Sequence, residues 1–355
     1  MADDDQSSGW QLTESDPGVF SELLRLLGTP LVMDELYTLD FAALASDPLY
    51  SISPISALVF LFKWTADREA GDIGEGASRG PRTGGVYDPD FAGFYAKQVV
   101  QNACATLAIV NALGNIPDLP VGKELGDVFS FGVGMDPLSL GEVLTSSADL
   151  RRIHNSLSPP AALSLDGLNL PKGEAEDAYH FVVYVPIGDT LYELDGLKRY
   201  AVNHGKIGQV WVEQALGVIQ SRIELYPAGS VEFNLQAIRP DALPILSSSL
   251  PPHITVAEAQ ELRHEEETKR RRWEFENALR RHNHLGLAIG LLQTLAKVSV
   301  TTSASGNTGE SPASLWETTV NDAREKMKVR LEKRREMLAM AGKGQPIPDD
   351  MDLDS

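Results

Sequence analysis

The chain has 355 residues, 43% of them hydrophobic, and a formal charge of −19. That length can bury a large core with a smaller module beside it, while so acidic a surface repels polyanions and excludes a general nucleic-acid binder. No stretch approaches the ~20 apolar residues of a membrane-spanning helix, and a single cysteine permits neither an internal disulfide nor a multi-cysteine zinc site.

Residues 1–8 are polar and read as a disordered tail. Their Met-Ala-Asp-Asp-Asp start has no basic stretch leading into an apolar run, so neither secretion nor membrane insertion is expected; the single cysteine fits a reducing compartment, and cytoplasm and nucleus are the expected locations. Order should begin near Trp10, with a turn signal at Ser15 to Gly18 and helical spacing of Phe20, Leu23, Leu24 and Leu27. Ala57 to Trp64 reads as a buried strand, and the Gly-rich, charge-mixed residues 66–86 as a mobile surface insert. Residues 102–114 are apolar nearly all round, which predicts a buried central helix capped by Asn102 and closed by Gly114.

Helices are expected over Leu138–Ser147 and Ser147–Asn155, followed by a stretch from Ser156 to Glu176 that is long for a structureless loop. Tyr179 to Pro186 and Thr190 to Leu194 are β-branched and aromatic runs, read as a hairpin with the four-residue connection Pro186 to Asp189. A helix near Val210 to Tyr226 and a strand near Val231 to Ile238 complete an α/β domain over residues 9–238.

Residues 239–254, rich in proline and serine, read as a linker to a helical module over 255–340, with a disordered acidic end over 341–355. Within that module Glu265/Lys269, Glu266/Arg270 and Glu267/Arg271 are spaced as four-apart ion pairs on a solvated helix, each worth ~0.2–0.5 kcal/mol. Leu285 to Ala296 forms an apolar stripe too long to stay wet, suited to a partner or to a second copy of the chain, and Ser314 with Glu317 reads as a capping box. His282 and His284, two apart on a helix, point to different sides, so no metal is expected.

The hairpin carries a chemical reading. With a connection over Pro186 to Asp189, Val185 pairs with Thr190 and the ladder sets His180 opposite Asp195, within reach of an imidazole–carboxylate hydrogen bond. Cys104 lies in the first turn of the apolar helix, where amides and the helix dipole favour a thiolate. Cys104 as nucleophile, His180 as base and Asp195 as its orienter make a three-part set, and Gln98 can offer its amide beside the Cys104 N–H to a developing oxyanion. Each has a plainer reading: a lone cysteine packs as a small hydrophobe, and Asp195-Gly196 marks a turn. Together they indicate a Cys-His hydrolase and leave its substrate open.

Three segments narrow it. Lys-Gln-Val-Val-Gln-Asn-Ala-Cys-Ala-Thr (97–106), Asp-Ala-Tyr-His-Phe-Val-Val-Tyr-Val-Pro (177–186) and Leu-Tyr-Glu-Leu-Asp-Gly-Leu (191–197) resemble the ubiquitin C-terminal hydrolases, as does the start over residues 10–20. The resemblance implies a papain-like α+β cysteine peptidase fold, a central antiparallel sheet flanked by helices, with a C-terminal helical extension. It implies a thiol-dependent deubiquitinase that needs no cofactor and acts at the C-terminal glycine of ubiquitin, with Cys104 attacking, His180 as base and acid, Asp195 orienting it and Gln98 in the oxyanion hole. Residues 156–176 stand where the family has a crossover loop over the site.

Residues 270–292, especially Arg-Arg-His-Asn-His-Leu (280–285), resemble the tail of the proteasome-associated branch, which implies binding to the adaptor domain of a proteasomal ubiquitin receptor. A chromatin-associated branch with a similar tail carries a long insert that this chain lacks. The acidic end departs from the basic ends of such tails. A ubiquitin-binding scaffold is the alternative from another class.

Overall fold

The computed structural model describes residues 9–63, 83–158, 179–226, 233–248, 250–252 and 254–281. The readings made for the first eight residues, for the insert up to residue 82, for the crossover stretch from residue 159 and for everything past Arg281 lie outside them. That includes the apolar stripe, the second capping box and the two histidines 282 and 284.

Seven strands form one sheet in the order β1-β7-β2-β4-β5-β6-β3, every neighbouring pair antiparallel. They are β1 (Leu31–Glu35), β2 (Ala57–Lys63), β3 (Val86–Asp88), β4 (Tyr179–Ile187), β5 (Thr190–Leu194), β6 (Ala201–Lys206) and β7 (Phe233–Pro240). The helices among the described residues are α1 (Pro17–Leu26), α2 (Phe41–Ala45), α3 (Pro48–Ile52), α4 (Cys104–Leu113), α5 (Lys123–Phe131), α6 (Pro137–Ser146), α7 (Ala148–Asn155), α8 (Trp211–Ile223), α9 (Ala242–Ser248) and α10 (Val256–Arg281). The mixed, antiparallel α+β architecture is the one the resemblance implies.

The β4 run explains why the sheet is central. Val183 and Val185 enter one core with Phe20, Ile109 and Val110 of α1 and α4, while Val182 and Tyr184 enter another with Ala215, Leu216 and Ile219 of α8. A strand buried on both faces has no polar side, which is why its sequence reads as a continuous apolar run. Helix α4 packs across β4 in the same way, with every residue from Ala105 to Leu113 buried.

Three readings are corrected. The hairpin register is displaced by two: Val185 faces Tyr192 and Ile187 faces Thr190, so the loop is only Gly188-Asp189, and Gly188 takes the left-handed φ of 60° that such a tight turn demands. Asn102 does not cap α4: Ala103 stands at that position, and Asn102, at a left-handed φ of 64°, donates its side-chain amide to the Trp10 carbonyl instead. Residues 239–254 are not a free linker. They complete β7 and form α9, whose Ala242 and Leu246 pack with Leu49, Ile52 and Ala259 in a third core.

Nor does the helix that begins past Thr255 stand apart from the sheet. Thr255 and Glu258 do make a capping box that opens α10, with Glu258 accepting the Thr255 N–H at 2.8 Å. But α10 lies on α1, in the same compact unit as the sheet. Its charged face is in large part a docking face rather than a solvated one: Glu266 and Trp273 are buried, Lys269 pairs with Asp34 at 2.7 Å, Arg270 with Asp241 at 2.9 Å and Arg280 with Asp16 at 2.9 Å. Of the three expected four-apart pairs only Glu266/Arg270 is present among the described residues, at 3.8 Å.

Candidate active site

The site is assembled from the head of α4, the start of β4 and the turn that follows β5. His180 is the second residue of β4 and lies opposite Phe62 of β2, whose ring meets the imidazole edge-on at 6.0 Å between centroids. Asp195 is the first residue after β5. The observed register does not set it directly across from His180, but a slip of two keeps every side chain on its own face, so the pair still meets diagonally. The His180 Nε2 to Asp195 Oδ1 distance is 2.6 Å, with both side chains buried.

Asp195 is fixed by its own turn. Its Oδ1 accepts the Leu197 N–H at 3.0 Å, and its carbonyl accepts the Lys198 N–H at 2.9 Å. The Tyr95 hydroxyl, buried, lies 2.5 Å from the Asp195 carbonyl and 2.7 Å from that of Lys198 and donates to this pair. Burial by itself would raise the Asp195 carboxyl, but the His180 partner and the cations Lys198 and Arg222 outweigh it and leave it below the usual range. An ionised carboxylate can only accept, so the proton between the two sits on Nε2, and Nδ1 is the ring nitrogen left outside the pair.

The segment that leads to α4 runs along this turn. Gln98 N–H donates to the Gly196 carbonyl at 2.8 Å, which ties the segment before Cys104 to the turn that holds Asp195. The Gln98 side chain donates to the Val100 carbonyl at 3.1 Å and leaves its own carbonyl oxygen buried without a partner. One of its two amide hydrogens therefore remains for an oxyanion.

Cys104 heads α4 and is half-buried. Here the thiolate expected from the helix N-terminus does not prevail. Burial pushes the thiol up to about 11, against the opposing pull of the Ala105 and Cys104 amides. Strand alternation groups His180 with Val182 and Tyr184 on the α8 face, whereas α4 packs on the other, and among the described residues no hydrogen bond joins Cys104 to His180. The structure thus holds His180 with Asp195 and Gln98 beside their turn, and presents Cys104 as a neutral thiol at the helix head.

Sequence reasoning missed the charges behind the pair. Glu193, wholly buried on β5, receives Lys198 Nζ at 2.9 Å, Arg222 at 3.2 Å from α8 and His204 Nε2 at 3.0 Å from β6. Burial would raise its carboxyl, but Lys198, Arg222 and His204 hold it well below the ordinary range. Lys198 also lies 4.0 Å from Asp195 Oδ2. A signal was available: Glu193 and Asp195 alternate onto the same face as Leu191 in a run that reads as buried, and two buried carboxylates require cations nearby.

The family described as "Ubiquitin carboxyl-terminal hydrolase, family 1" matches residues 10–224, and one described as "Ubiquitin carboxyl-terminal hydrolases" matches residues 256–300. Ubiquitin carboxyl-terminal hydrolase ubh-4 of Caenorhabditis elegans is 36% identical over 306 residues, 82% of this chain and 88% of the relative. Ubiquitin carboxyl-terminal hydrolase 2 of Schizosaccharomyces pombe is 35% identical, covering 81% of this chain and 91% of the relative. Among solved structures, Trichinella spiralis UCH37 bound to ubiquitin vinyl methyl ester superposes with a TM-score of 0.56 at 30% identity, over 75% of this chain and 99% of that one.

Proposed function

The chain belongs to the ubiquitin carboxyl-terminal hydrolases of family 1, and from that membership we propose that it cleaves ester, thioester, amide or isopeptide bonds at the C-terminal glycine of ubiquitin. The observation that carries the assignment of roles is the buried His180–Asp195 hydrogen bond at 2.6 Å beside the turn that anchors Gln98.

In this reading Cys104 gives its proton to His180 Nδ1 as its sulfur bonds to the glycine carbonyl carbon. The carbonyl oxygen becomes an oxyanion, met by the free amide hydrogen of Gln98 and the Cys104 N–H. Collapse breaks the bond to the leaving group, which takes the proton from His180, and leaves a thioester. Water then attacks with His180 as base, the C–S bond breaks as His180 returns that proton to the Cys104 sulfur, and ubiquitin departs as its carboxylate with its second proton released to solvent. Asp195 holds the tautomer and stabilises the imidazolium without becoming protonated itself.

The tail serves recruitment in this proposal. Support comes from the second family match over residues 256–300 and from the resemblance of residues 270–292 to the proteasome-associated branch. The partner is the adaptor domain of a proteasomal ubiquitin receptor, and the site of action is the proteasome of cytoplasm and nucleus.

Release of fluorophore from a ubiquitin C-terminal amide by wild type and by Cys104→Ala tests the activity. Turnover that Cys104→Ala abolishes is expected; equal turnover by both, or none by wild type, contradicts it. Affinity isolation of the full chain tests recruitment: proteasome subunits are expected, and self-association or a chromatin complex in their place contradicts the proteasomal partner.

A further inference from the structure

We propose that Lys198 is a positioning residue of this site: its ammonium, held between Glu193 and Asp195, offsets the carboxylate that orients His180 and so keeps the imidazole neutral and able to receive a proton. The proposal rests on the roles assigned above to Cys104, His180 and Asp195.

Its first support is placement. Lys198 is 2% exposed, a rare state for an ammonium, and its Nζ stands 2.9 Å from Glu193 and 4.0 Å from Asp195. The second support is how firmly it is held. The Tyr95 hydroxyl reaches the carbonyls of both Asp195 and Lys198, and the Lys198 N–H returns to the Asp195 carbonyl at 2.9 Å. One turn therefore carries both the orienting carboxylate and its counter-charge, and one tyrosine from the segment before α4 fixes them together.

The third support is charge balance. Glu193 and Asp195 supply two negative charges, Lys198 and Arg222 two positive ones. Around them stand His180 and Tyr184 on β4, His204 on β6, Tyr95 before α4 and Tyr226 after α8, and the two carboxylates and two fixed cations of the cluster balance. If Lys198 is removed, the uncompensated carboxylates draw a proton onto His180 at higher pH. A protonated imidazole cannot accept the thiol proton, so the resting enzyme loses its base. If Glu193 is removed, Lys198 and Arg222 act on Asp195 unopposed and the imidazole gives up its proton more easily.

A merely structural lysine would alter kcat and leave the pH dependence in place, so the test is the acid limb of kcat/KM for a ubiquitin–fluorophore amide, measured on the full chain. Lys198→Met should move that limb to higher pH by roughly one unit, Glu193→Gln should move it the other way, and Lys198→Arg should superimpose on wild type. Limbs of Lys198→Met and wild type that coincide overturn the proposal, as does a Lys198→Arg limb that follows Lys198→Met. Should Lys198→Met not fold, Glu193→Gln decides, and a limb that stays in place overturns it. A wild-type chain without turnover overturns the site assignment as well, whereas turnover with unmoved limbs removes only the role of Lys198.

Discussion

His180 donates through Nε2 to Asp195 Oδ1 across 2.6 Å, with only 5% and 4% of the two side chains exposed. So short a contact, shielded from water, fixes Nε2 as the nitrogen bound to the carboxylate and leaves Nδ1 outside that bond.

Asp195→Asn tests that orientation. An amide can donate to Nε2 and select the wrong tautomer, so kcat should fall on the order of 10²–10⁴-fold with KM little changed. Steady-state hydrolysis of a ubiquitin C-terminal amide measures both, and a loss confined to KM would contradict the role.

Alkylation of Cys104 by iodoacetamide reads the state of the thiol, and the absence of any other cysteine makes the signal unambiguous. With burial pushing it up to about 11, the rate in the free chain should stay low at neutral pH and rise through that region. A plateau already reached near pH 7 would mean a resting thiolate, contrary to the structure.

Much of this was legible in the sequence, for stated reasons. β4 and β5 announce themselves because Phe181 to Val185 is buried on both faces, and their even-numbered slip left the His180–Asp195 face intact. β3 and β6 escaped notice because Val86-Tyr87-Asp88 is three residues long and Ala201 to Lys206 mixes polar side chains with a glycine. α9 was hidden by its serines, whose hydroxyls turn back on the helix: Ser247 and Ser248 donate to the Leu243 and Pro244 carbonyls at 2.7 Å. The resting thiol was misjudged because burial depends on tertiary packing, which spacing along one helix cannot report.

The docked α10 alters what truncation should do. A chain ended after Arg281 keeps α9, α10 and their contacts and should retain turnover of a ubiquitin amide while losing proteasome recruitment. A chain ended after Arg239 loses the cover over Leu49, Ile52 and α1, and should fail to give a soluble, cooperatively melting protein. Equal melting of the two in calorimetry would show that α10 adds nothing to the fold.

Trp273 and Gly18 locate that docking. A β-carbon on Gly18 would lie 2.7 Å from the Trp273 ring, so Gly18→Ala should cost ~1–3 kcal/mol by overpacking. Trp273→Ala should cost ~3–5 kcal/mol by leaving a cavity. Urea unfolding checks both, and a double variant in which the added methyl regains part of the loss is expected; strictly additive losses would mean the two residues do not touch in solution.

The most direct test of the whole account is a ubiquitin carrying an electrophile in place of its C-terminal carboxylate, followed by peptide mapping. The account predicts one covalent adduct, on Cys104, absent from Cys104→Ala and formed far more slowly in His180→Ala. Attachment at any other residue, or labelling indifferent to His180, would contradict it.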